Sequence, residues 1–86
     1  APRRIALLER ALELYGEGGP DPRWLASMRV ELAEALWSRR AERPRALALA
    51  TAALADIDGL HDADAEIVRS QVTAWLAPRR ATRPRT

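Results

Sequence analysis

Apolar residues recur along four stretches of this chain at the three- and four-residue spacing of a helix face, and no stretch shows the sustained alternation of a half-buried strand. The first stretch predicts a helix over Pro2 to Tyr15, with Ile5, Leu8, Leu12 and Tyr15 on one face and Leu7, Ala11 and Leu14 on the next. Gly16, Gly18, Gly19 and Pro20 stop it. The second is read as Pro22 to Arg40, because Asp21 suits the N-cap and Pro22 the first helical position, where a missing N–H costs nothing. Its two stripes, Leu25, Met28, Leu32 and Leu36 and then Ala26, Val30, Ala33 and Trp37, predict contact on two sides. A third helix is expected from Pro44 to Asp58, with Gly59 as a left-handed cap. Its run from Ala46 to Leu54 is apolar almost all round, which implies deep burial. The fourth is expected to start after Asp62 and to end before Pro78. Ile67, Val68, Gln71, Val72, Trp75 and Leu76 make one broad face there, opposed by Arg69, Ser70, Thr73 and Ala74, as in a helix that closes a stack against water.

Composition agrees with an all-α chain of about four helices. Only four residues are aromatic, none of them Phe, and Ala dominates an apolar fraction of 48%, which suits closely approaching helices. At 86 residues the chain forms one small domain with a thin stability margin. The organisation expected is a helical domain over residues 1–77 and a disordered Arg-rich tail over 78–86. That tail holds Arg79, Arg80, Arg83 and Arg85 and no acid, whereas residues 1–77 carry ten Arg against twelve Asp and Glu, so the +2 net charge hides a slightly acidic body. No apolar run approaches the ~20 residues of a membrane span, and Ala1-Pro2-Arg3-Arg4 does not open a secretion signal, so a cytoplasmic protein is expected. A start without Met is expected of a fragment or a processed chain.

The second and third helices resemble one tetratricopeptide repeat (TPR), a helix-turn-helix unit of about 34 residues. The carrying residues are Leu32-Ala33 and Leu36 in the first helix and Ala46 and Ala53 in the second. Ala11-Leu12-Glu13-Leu14 is similar to the end of a preceding unit, so the resemblance spans Arg4 to Ala77 as a half repeat, one full repeat and a capping helix. Arg29, Leu36, Ala50 and Asp58 depart from the family's frequent Trp, Tyr, Phe or Tyr, and Pro, and the turn Ser38 to Arg43 is one residue longer. The Trp-Leu-Ala ending resembles the C-terminal ends of TPR regions in large bacterial signalling proteins, including TPR-bearing serine/threonine kinases.

Candidate chemistry is sparse. With no Cys and one His there is no zinc or thiol site, and no cofactor is expected. Asp56, Asp58, Asp62, Asp64 and Glu66 suggest a calcium loop, but Leu54 and Ala65 stand where an EF-hand needs its first and last ligands; capping and turn roles are expected, with His61 a surface turn residue. Ser27, Ser38 and Ser70 have no His and acid partners by spacing, and no Gly-rich loop precedes a helix, so no enzyme is expected. Trp75 reads as core and Trp24 as structural. The TPR resemblance implies that Ser27, Val30, Glu34, Trp37 and Ser38 line a concave groove, Trp37 being either an interface anchor or a packing residue. The function expected is a non-catalytic scaffold or adaptor that binds a peptide or partner protein there. The alternatives are an end-cap of a longer array, with self-association through the N-terminal helix, and weak nucleic-acid binding through the Arg-rich tail.

Overall fold

The computed structural model describes residues 2–15 and 21–81. It is all-helical: α1 (Pro2–Tyr15), α2 (Pro22–Trp37), a 3-10 turn (Arg40–Glu42), α3 (Arg43–Asp56) and α4 (Ala63–Ala81). The helix starts follow their caps. The Asp21 carboxylate accepts from the Arg23 backbone N–H at 2.9 Å, and Asp62 accepts from that of Ala65 at 2.8 Å. Each side chain satisfies an amide that the helix cannot, an interaction of about 1 kcal/mol.

The helix ends differ from the sequence expectation. α2 stops at Trp37 instead of Arg40. Beyond Trp37 the chain tightens into the 3-10 turn, where the Arg43 N–H donates to the Arg40 carbonyl and the Arg43 Nε donates to the Trp37 carbonyl at 2.9 Å, pairing one of the carbonyls that a helix end leaves free. α3 ends at Asp56, and Gly59 takes the left-handed turn at φ 87°. The largest difference is at Pro78, which does not end α4 but lies inside it. Proline removes the hydrogen bond to the carbonyl of Ala74, which is on an exposed face and open to water. Arg79 then holds the next turn, donating from Nη1 to the Trp75 carbonyl at 2.8 Å. The expected disordered tail therefore loses residues 78–81 to α4, and positions 82–86 lie outside the described residues.

Helix α2 is the hub. α3 packs antiparallel along it, α1 packs on it from one side, and α4 rests on both α2 and α3 from the other. Leu32, Leu36, Ile57 and Val72 are the largest fully buried side chains, joined by Ile5, Leu8, Val68, Trp75 and Leu76. Between α2 and α3 the core is mostly alanine: Ala26, Ala33, Ala46, Ala50 and Ala53 have no exposed surface. Ala46, Ala50 and Ala53 follow the four-then-three spacing of one stripe, so a short side chain faces α2 at every turn. Arg29 on α2 adds a partly buried ion pair, its Nη1 donating to both oxygens of Asp56 at 2.9 Å.

Two burial expectations need correction. α3 is not buried all round: Leu47, Leu49 and Leu54 are half-buried and Ala48, Thr51 and Ala55 exposed, because α3 is an outer helix and alanine costs little in water. On α4, Ala65 joins the buried stripe, while Gln71 is exposed and Ile67 is 56% exposed. The buried positions 65, 68, 72, 75 and 76 keep a strict helical period, and 67 and 71 lie beside it. No described helix is long and apolar enough to cross a membrane.

Candidate functional site

The feature best suited to receive a partner is a groove between α2 and α4, and its shape follows from how the two helices are tied. At their starts, Arg23 donates through Nε to the N-cap Asp21 at 3.0 Å and through Nη1 to the N-cap Asp62. One guanidinium thus clamps both caps and holds the Asp21 carboxyl below its usual range. At the far ends, Trp37 meets Trp75 edge to face, with ring centres 5.5 Å apart and planes at 78°. The Arg79 guanidinium lies 4.2 Å from the Trp75 ring centre and 5.4 Å from that of Trp37, and Arg43 covers Trp37 at 4.8 Å. Helices joined start to start and end to end run parallel, and the space between the ties stays open.

Ser27, Val30, Glu31, Glu34, Gln71, Ala74 and Trp75 line the deeper part of that space, about 560 Å³. Toward the helix starts, Arg23, Trp24, Asp64, Ile67 and Val68 line a shallower part. Ser27 and Gln71 border both parts, so the two adjoin along the α2–α4 seam. Toward the helix starts Trp24 and Ile67 offer apolar surface beside Arg23 and Asp64, and the other end is acidic, at Glu31 and Glu34.

Three of the five residues expected from the sequence, Ser27, Val30 and Glu34, line this groove. The other two do not. Trp37 is held in the aromatic and guanidinium stack at the groove's end, and Ser38 lies just past α2, exposed, with its hydroxyl donating to the Ala35 carbonyl at 3.3 Å. The expectation for both rests on the TPR resemblance; Trp37 is the last residue of α2 and Ser38 follows it. Glu31, one turn from Ser27, was legible by spacing. The α4 wall was not: the pattern puts Gln71 with the buried face and Ala74 opposite it, and only the placing of α4 beside α2 brings both to the groove.

The acidic stretch after α3 has structural partners. Asp56 pairs with Arg29, although burial raises its carboxyl above the usual range more than that pairing lowers it. Glu66 bonds Arg69 at 2.7 Å and His61 at 3.4 Å, which together lower its carboxyl, the Arg69 contact most. Arg69 also donates to the carbonyls of Ile57 and Leu60, closing the α3–α4 turn. Among the described residues no group of His, Asp and Glu could hold a metal ion. A second depression, beside α1, is lined by Glu9, Leu12, Glu13, Arg29, Leu32, Arg45 and Leu49, and a 2.6 Å ion pair between Arg45 and Glu9 spans it.

No family model, no curated protein and no solved structure matches this chain.

Proposed function

We propose that this chain is a non-catalytic protein-binding module and that the α2–α4 groove receives a segment of a partner protein. The observation that carries this reading is the groove itself: two parallel helices tied at both ends leave a space lined by apolar, polar and acidic side chains. The TPR resemblance supports it, since in that family first helices of successive units line the ligand face, the relation that the resemblance implies for α2 and a capping α4. A cytoplasmic adaptor role within a larger bacterial signalling protein follows from the same resemblance. The test is a selection of displayed random peptides on the intact chain. Recovered peptides should lose at least tenfold in affinity for Ala74→Trp, which fills the groove from an exposed position and should leave the melting curve unchanged. Equal binding to that variant would refute the reading.

A second reading, an end-cap of a longer array, draws on α1. Leu7 and Leu14 are 62% and 65% exposed on its outer face, while α4, apart from Ile67, exposes small and polar residues. A preceding helix or a second copy would cover those leucines. The wild type should self-associate in sedimentation at several concentrations and L7E/L14E should not; a monomer throughout would remove this reading.

A further inference from the structure

We infer that the segment taken by the α2–α4 groove is an extended, basic one from a partner protein, with a large aliphatic side chain against Trp24 and Ile67 and Arg or Lys side chains against Glu31 and Glu34. This inference rests on the groove being the binding site.

Three observations identify the occupant. The first is the charge left over. Glu9, Asp21, Glu42, Asp56, Asp62 and Glu66 each pair with an Arg or His. Glu31, Glu34 and Asp64, the three carboxylates lining the groove, have no ion pair among the described residues. Among the described residues the one cation in the lining, Arg23, is already shared between Asp21 and Asp62, and Arg43 and Arg79 at the groove's far end are stacked on Trp37 and Trp75. The lining therefore attracts cations and repels phosphate, which favours a basic peptide over a nucleic acid.

The second is a missing acceptor. Trp75, only 7% exposed, forms part of the groove wall, and its buried indole N–H finds no acceptor among the described residues. A buried donor without an acceptor is uncommon and costly; the nitrogen has no accessible surface at rest, so a backbone carbonyl in the groove reaches it only when the Trp75 ring or the Arg79 guanidinium over it shifts. The third is length. From Trp24 to Glu34 the groove runs about 15 Å along α2, the span of about five residues of extended chain. The chain's own Arg83 and Arg85 supply matching charge, but residues 82–86 contain no large apolar side chain for the Trp24 and Ile67 end. A partner is thus the better occupant.

The test uses the ¹⁵N-labelled intact chain and three blocked peptides, Leu-Thr-Gly-Arg-Arg, its reverse Arg-Arg-Gly-Thr-Leu, and the acidic Leu-Thr-Gly-Glu-Glu. One basic order should shift the amide signals of Ser27, Glu31 and Gln71 and move the Trp75 indole N–H signal. E31Q/E34Q, with an unchanged melting curve, should weaken that binding about three- to tenfold, as expected for two surface pairs, and added salt should weaken it further. If the acidic peptide binds as well as the basic ones, the charge inference fails while the groove reading stands. If the basic peptides bind only a chain ended at Ala81, the tail is the occupant and the partner inference fails. If no peptide shifts the groove in either chain, the inference fails together with the reading beneath it.

Discussion

Replacing Trp75 with alanine should destabilise the protein by about 3–5 kcal/mol, the range for emptying a buried aromatic site. Trp75 is 7% exposed, packs edge-on to Trp37 and carries Arg79 on its face, so the change removes core volume and the support of the α4 turn beyond Pro78 together. A domain of this size has about 4–13 kcal/mol in all, so the variant should be partly unfolded at 25 °C. Urea unfolding of the intact chain measures it. Trp37→Ala should cost less, because Trp37 is only half-buried. A loss below about 1 kcal/mol at Trp75 would mean that α4 is not held as described.

The next largest effect is expected where nothing is removed. Ala46→Leu or Ala53→Leu should each cost about 1–3 kcal/mol by forcing bulk into the α2–α3 contact, where both alanines have no exposed surface. Ala41→Leu, on the exposed 3-10 turn, should be nearly neutral. The contrast matters because the chemical change is the same at all three sites. Equal effects would show that alanine is there for helix propensity alone and that the helices do not approach closely.

These positions also show what was legible in the sequence. Asp21-Pro22 and Asp62 marked helix starts because a cap is a local event, fixed by one side chain and the amides two or three residues on. The alanine stripe of α3 was legible too, since its spacing is helical whatever packs against it. What escaped depended on distant partners. Pro78 reads as a stop locally, yet Arg79 stacked on two tryptophans from different helices holds the turn beyond it. Likewise, nothing near Arg23 in sequence shows that it bridges two caps 41 positions apart, Asp21 and Asp62, and so sets α2 and α4 side by side. The groove is a product of that juxtaposition. One helix could supply Ser27, Val30 and Glu34 as candidates, but only the fold adds Gln71, Ala74 and Trp75 opposite them.

The most direct test of the central claim is hydrogen exchange on the intact chain, with and without a peptide selected on it. The account predicts new protection in residues 24–34 of α2 and 64–75 of α4, with α1 unchanged. Protection confined to α1, or to the depression beside it, would place the partner elsewhere and contradict the account.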